Sequence, residues 1–212
     1  MRCHTRIKVC GITRLEDALY AEQLGVDAIG FVFCAASKRA ITPADAAIIA
    51  DKIAPYMVRV GLFLDATDFE VNAALEAIPN LVPQFHGTEK PEWCDAFDRP
   101  YVKAMGVSNG IPSSTMLQSF SRAQGILLDS HAPGELGGTG HTFNWADLED
   151  SMPGRLILAG GLSPENVEAA VRQVRPYAVD VSTGVERSKG VKDAAKMEAF
   201  VHAVRSADEA SS

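Results

Sequence analysis

Two residues far apart in the chain carry side chains suited to acid–base chemistry at carbon, and each ends a short apolar run. Cys10 closes Arg6–Cys10 within Lys8-Val9-Cys10-Gly11-Ile12-Thr13, and Asp129 closes Gly125-Ile126-Leu127-Leu128-Asp129. A thiolate can take a proton from carbon once its pKa is drawn toward neutral. A carboxylic acid can supply one at neutral pH when burial or nearby anions raise its pKa. In a closed parallel α/β sheet the C-terminal ends of the strands converge on one face, so such a pair can meet across a bound substrate. Together they suit an isomerisation that needs no cofactor. Each has a plainer reading as well: free cysteines are often inert packing, and an aspartate at a strand end is often only a helix cap.

Elements able to position such a pair recur along the chain. Eight apolar runs, Arg6–Cys10, Ala28–Phe33, Val58–Leu64, Leu81–Phe85, Tyr101–Met105, Gly125–Asp129, Leu156–Ala159 and Ala178–Val181, are rich in Val, Ile, Leu and Phe. Strands buried on both faces have this composition. The segments between them carry helix signals. Thr13…Glu16 and Thr67…Glu70 fit capping boxes, while Thr42-Pro43 and Ser163-Pro164 set a capping residue before a proline at the first helical position. Val167, Ala170, Val171 and Val174 recur at helical spacing and define one buried face. The Ser-rich stretch 106–124 makes the fifth helix short or irregular. Alternating strands and helices imply a parallel sheet with right-handed crossovers. Eight such units in 212 residues fit one (β/α)8 TIM barrel over 1–205, with the small polar tail 206–212 expected to fray. The rival architecture, an open doubly wound sheet, lacks its glycine-rich fingerprint after the first strand.

Charge and cysteine usage narrow the function. The formal net charge is −7, with no basic stripe to neutralise nucleic-acid phosphates, so an anionic ligand must be held by a local positive patch. Cys3, Cys10, Cys34 and Cys94 show neither CxxC nor metal-ligand spacing, so neither a disulfide framework nor a metal site is expected. With no signal-like apolar segment and no run of membrane-spanning length, a cytoplasmic protein is expected.

Six stretches, KVCGIT (8–13), GFVF with SKR (30–33, 37–39), QFHG (84–87), ILLD with GGTG (126–129, 137–140), LAGGLSPENV (158–167) and RPYAVDVSTGVE (175–186), together resemble the phosphoribosylanthranilate isomerase family of tryptophan biosynthesis. The resemblance implies a TIM barrel without cofactor. Its reaction would be the Amadori rearrangement of N-(5-phosphoribosyl)anthranilate to 1-(2-carboxyphenylamino)-1-deoxyribulose 5-phosphate. It implies Cys10 as general base, Asp129 as general acid at the furanose ring oxygen, and Arg39 as the anchor of the anthranilate carboxylate. Gly160 and Gly161 after the seventh strand, with Ser182, Thr183 and Gly184 after the eighth, fit a phosphate site built from backbone N–H groups. Cys10 would then lie between Arg39 and the phosphate. His86 is either a substrate contact or a satisfied structural histidine. Asp180 either orients groups near the phosphate or pairs with Lys8, which could instead favour the Cys10 thiolate. Phe85 departs from the family's usual Leu and should face the helices, Cys34 replaces a larger residue, and Thr183 keeps the hydroxyl of a Ser. The expected partner is a sugar-phosphate substrate, with other tryptophan-pathway enzymes as neighbours. The related sugar-phosphate isomerase of histidine biosynthesis, and a barrel that binds sugar phosphates without turnover, are the competing readings. The first strand ends in Cys rather than Asp and no internal repeat is visible, which weighs against the former.

Overall fold

Parity along each apolar run divides the side chains into those facing the helices and those facing the barrel interior. The computed structural model describes residues 4–130, 144, 145, 148 and 155–210. Its strands are β1 (Arg6–Cys10), β2 (Ala28–Val32), β3 (Val58–Phe63), β4 (Leu81–Phe85), β5 (Val102–Gly106), β6 (Gly125–Asp129), β7 (Leu156–Leu158) and β8 (Ala178–Val181). They pair in chain order as one closed parallel barrel, β8 returning onto β1 with Lys8 opposite Asp180, as expected of a TIM barrel. The outer helices are α1 (Leu15–Gln23), α2 (Pro43–Ala50), α3 (Asp68–Ala77), α4 (Pro91–Asp95), α5 (Ser114–Ser119), α6 (Val167–Val174) and α7 (Ala194–Glu209). The glycines at 137–140 lie outside the described residues.

The core sits mainly between strands and helices. Ile7, Val9, Ile29, Phe31, Phe63, Phe85, Leu128, Leu158 and Val179 all belong to this layer. Phe85 faces the helices as its parity demands, with ring centroids 5.2 Å from Trp93 and 5.6 Å from Phe97. Inside the barrel a small cluster of Ala104, Leu127 and Ala159 packs with Val102 and Ile157. In β1, Lys8 and Cys10 occupy the face opposite Ile7 and Val9, and Lys8 pairs with Asp180 at 2.7 Å in the interior.

Local signals are met unevenly. Thr67 and Glu70 form the expected reciprocal capping box, and Thr42 accepts from Asp45 N ahead of Pro43. Thr13 does not cap α1; its hydroxyl donates to the Gly190 carbonyl at 2.5 Å, and Arg14 occupies the cap position. Ser163-Pro164 likewise stops short of starting α6, which begins at Val167 after a turn stabilised by Asn166. α5 spans six residues and buries none of them, as its Ser-rich composition suggests. Pro83 lies within β4 and cannot donate to a ladder; pairing of β4 with β5 begins only at Gln84↔Val102. After β8, a 3-10 turn at Thr183–Val185 leads into an antiparallel hairpin of β9 (Glu186–Ser188) and β10 (Val191–Lys192), which the apolar pattern did not signal.

The expectation of a frayed tail from residue 206 is corrected: α7 continues through Glu209. Ala207 is fully buried, and the Asp208 carboxylate accepts from Thr5 N at 2.8 Å and Thr5 Oγ1 at 2.7 Å. A short polar segment thus closes the N-terminal end of the barrel because it satisfies a buried backbone donor. Asp208→Ala strands both donors and should cost about 1–3 kcal/mol. Thermal unfolding should show a melting point lower by roughly 3–10 °C; an unchanged melting point would mean that the latch contributes nothing.

Candidate active site

The C-terminal strand ends surround a cavity of about 290 Å³. Cys10, Arg39, His86, Asp129, Gly160, Gly161, Asp180, Ser182, Thr183 and Gly184 all line it, so the structure brings every candidate residue to one place. Lys38 and Cys34 do not line it. Sequence reasoning missed several wall residues. Val32, Leu62 and Leu64 supply an apolar side next to β2 and β3, and Ser163 and Asn166 extend the wall beyond β7. Their only signal was position near strand ends.

Cys10 ends β1, opposite Gly30 of β2. A Cβ at Gly30 would lie 2.7 Å from Cys10 Sγ, so the missing side chain makes room for the sulfur. Burial pushes the Cys10 thiol up; Lys8 draws it back, Asp180 adds to the rise, and Lys192 opposes it. Burial alone would lower Lys8, but Asp180 and then Cys10 outweigh it and hold the ammonium above its ordinary range. The pairing of Lys8 with Asp180 is realised, and the same ammonium offsets part of the rise that burial imposes on the thiol. Asp180 Oδ2 takes that pair, while its buried Oδ1 has no hydrogen-bond partner among the described residues.

Across the cavity, buried Asp129 ends β6, with its Oδ2 3.9 Å from His86 Nε2. Gln84, almost wholly buried, donates through its amide to His86 Nδ1 at 3.2 Å. With Nδ1 facing Gln84, Nε2 is the ring nitrogen on the side toward Asp129. His86 is thus structurally held and also lines the cavity.

The glycines after β7 are conformationally required: Gly160 and Gly161 have φ of +81° and +65°, which side-chain-bearing residues rarely adopt. Asn166 braces this turn by donating to the Gly161 carbonyl at 2.9 Å and accepting from Ser163 N at 2.9 Å. After β8, Ser182, Thr183 and Gly184 turn into the short 3-10 segment. Backbone N–H groups of two adjacent turns can converge on an anion in this layout.

Arg39 departs from the expected spacing. Its guanidinium reaches to the β8 end, where Nε and Nη2 donate to Glu186 at 2.7 and 2.8 Å and Nη2 also reaches Thr183 Oγ1 at 2.8 Å. Cys10 therefore does not separate Arg39 from the turn after β8; the buried Glu186 carboxylate draws the arginine across. Lys192, buried behind it, donates to the Cys10 carbonyl at 2.5 Å, the Ser182 carbonyl at 3.2 Å and Glu186 Oε1 at 3.1 Å. Burial works to raise Glu186, yet Arg39 and Lys192 together hold it below the usual carboxylate range. Glu186 was visible only as the last residue of the stretch 175–186, with no role attached, and Lys192 only as a charged residue downstream of it.

The profile of the N-(5'-phosphoribosyl)anthranilate (PRA) isomerase family matches residues 7–203. The N-(5'-phosphoribosyl)anthranilate isomerase of Pseudomonas putida is 48% identical over 204 residues, covering 96% of this chain and 99% of that relative. The crystal structure of the phosphoribosyl anthranilate isomerase of Thermus thermophilus superposes with a TM-score of 0.85 at 41% identity, covering 95% of this chain and 99% of that one. A phosphoribosyl anthranilate isomerase solved with reduced 1-(o-carboxyphenylamino)-1-deoxyribulose 5-phosphate superposes with a TM-score of 0.78 at 34% identity, with coverage of 95% and 99%.

The electrostatics of Cys10 carry a signed prediction. With the thiol pushed up, its alkylation rate, followed on the Cys10 peptide by mass spectrometry, should rise with pH around a midpoint above the roughly 8.5 of a free cysteine. Asp180→Asn removes a negative charge beside the sulfur and frees Lys8 to stabilise the thiolate, so the midpoint should fall. A midpoint that rises in that variant contradicts the charge arrangement.

Proposed function

The chain belongs to the N-(5'-phosphoribosyl)anthranilate isomerase family, and from that premise we propose how its cavity carries out the family's reaction. The protein is an isomerase of tryptophan biosynthesis that rearranges N-(5'-phosphoribosyl)anthranilate to 1-(2-carboxyphenylamino)-1-deoxyribulose 5-phosphate. The observation that carries the residue assignment is that one cavity collects a thiol, a carboxyl group, an arginine and two glycine-containing turns.

In this reading Asp129 gives a proton to the furanose ring oxygen, the C–O bond to the anomeric carbon breaks, and the nitrogen lone pair forms the open iminium. The Cys10 thiolate then removes the proton from the sugar C2 carbon, and the C–H electrons move to form an enolamine. The Cys10 thiol returns its proton to C1 while the O2 proton passes to the Asp129 carboxylate, giving the aminoketone and restoring both groups, so atoms and charge balance with no external oxidant or reductant. Lys8 and Lys192 favour the thiolate form that this step uses. His86 stands beside Asp129 with Nε2 toward the carboxylate, and a proton on that nitrogen would stabilise the carboxylate left after proton donation.

Arg39 anchors the anthranilate carboxylate, and the aromatic ring lies against Val32, Leu62 and Leu64, the apolar wall on the side of the strand that Arg39 follows. The phosphate sits on the turns of Gly160–Gly161 and Ser182–Gly184. Holding both ends of the substrate keeps the reacting carbons close to productive geometry. We also place the protein in the cytoplasm beside other enzymes of the pathway; none of the described helices is long and apolar enough to cross a membrane.

The purified protein should consume the fluorescent substrate without added metal or cofactor. Cys10→Ala and Asp129→Asn should each lower kcat by about 10²–10⁴-fold, the range expected on losing one acid–base group. Asp129→Asn should still bind the reduced product analogue. Near-normal turnover in either variant removes that residue from its assigned role.

A further inference from the structure

The Arg39 side chain is more constrained than a ligand anchor needs to be, and the constraint decides which of its atoms a ligand can meet. A guanidinium offers five N–H donors in a fixed plane. Glu186 takes the Nε–H and one Nη2 hydrogen in a bidentate pair, and Thr183 takes a second hydrogen from Nη2. Only the two hydrogens of Nη1 remain, and none of the described residues accepts from them. Both members of the pair are buried, with side-chain exposures of 9% and 3%.

A buried arginine fully matched by a carboxylate would show a ligand little net charge. Lys192 changes that count. Its side chain is 0% exposed, and its three acceptors, the Cys10 carbonyl, the Ser182 carbonyl and Glu186 Oε1, match the three N–H groups of an ammonium. Two cations and one carboxylate leave the cluster one positive charge in excess, and Nη1 is where that charge can meet an anion. Gly190 N also donates to Glu186 at 3.3 Å, tying the carboxylate to the hairpin backbone.

We propose that Glu186 is a positioning residue for substrate recognition: it fixes the Nε–Nη2 edge of Arg39 so that Nη1 meets the anthranilate carboxylate, while Lys192 balances Glu186 and leaves the arginine's charge to the ligand. This rests on the reading of Arg39 as the carboxylate anchor. It makes specificity for the carboxylate-bearing ring depend on a side chain that touches no substrate atom. Removing Glu186 would free the guanidinium to rotate, and the cost would fall on binding of that one substrate group.

The test compares wild type, Arg39→Ala, Glu186→Gln and Glu186→Asp on N-(5'-phosphoribosyl)anthranilate and on its aniline counterpart, which lacks the carboxylate. Glu186→Gln should raise KM for the natural substrate about tenfold with kcat within about twofold, and move KM for the aniline compound by less than about twofold. Glu186→Asp keeps the charge but shortens the reach, and should fall between Glu186→Gln and wild type. Glu186→Gln leaves two buried cations beside a neutral amide, so melting curves accompany the kinetics; where that variant does not fold, Glu186→Asp carries the comparison. If Arg39→Ala separates the two substrates while the Glu186 variants change both equally or neither, the positioning role is overturned and the carboxylate anchor stands. If Arg39→Ala affects both substrates alike, Arg39 serves the phosphate end and both readings fall.

Discussion

The contact between β1 and β8 closes the barrel, and a buried ion pair sits across it. Lys8 Nζ and Asp180 Oδ2 are 2.7 Å apart, with both side chains almost wholly removed from solvent. Desolvating two charges is costly, and losing one partner strands the other, typically at several kcal/mol. The pair therefore makes the register of this seam specific: sliding β8 along β1 would separate the charges in a medium that cannot solvate them. The register in turn brings Cys10 and Ser182 to neighbouring strand ends. The same lysine sits beside the sulfur, so the group that specifies the closure also opposes the rise that burial imposes on the thiol.

Charge balance continues up the seam. The Lys192 ammonium bridges the carbonyls of Cys10, the last residue of β1, and Ser182, the residue that follows β8, on either side of the closure. The carboxylate that compensates this lysine is Glu186, which in turn holds Arg39. The hairpin after β8 makes Glu186 and Lys192 Cα partners on facing strands, through a register shift between Val191 and Lys192. A short irregular excursion from the barrel thus serves two ends at once: it finishes the strand termini and it orients a cationic group at the mouth.

Much of the architecture was legible in the sequence because period and punctuation agree. The eight apolar runs coincide with the eight strands to within a residue or two at their ends. The strand-end positions of Cys10 and Asp129 followed from the same pattern. What remained hidden depends on partners distant in sequence. Thr13 has the spacing of a helix cap, but the Gly190 carbonyl offers it a better-placed acceptor. Arg39 looks like a free loop arginine until the hairpin presents Glu186 to it. The tail beyond residue 205 has the composition of a fraying end, yet Asp208 finds the buried donors of Thr5. Each miss is a tertiary contact overriding a local signal, and each involves a polar group whose alternative partner was water.

The placement of the proton within the cavity ties these charges to the chemistry. In the proposed roles, Cys10 must begin without its proton and Asp129 must begin with one. A cavity holding a neutral thiol and a carboxylate has the same net charge as one holding a thiolate and a carboxylic acid. The competent form is reached by relocating one proton, with no new buried charge to compensate. Burial favours keeping that proton on sulfur, while Lys8 and Lys192 favour moving it off. Glu186 and Asp180 stop those lysines from becoming uncompensated cations themselves. In that assignment the charges around the thiol are paired tightly enough to be retained and arranged closely enough to be felt.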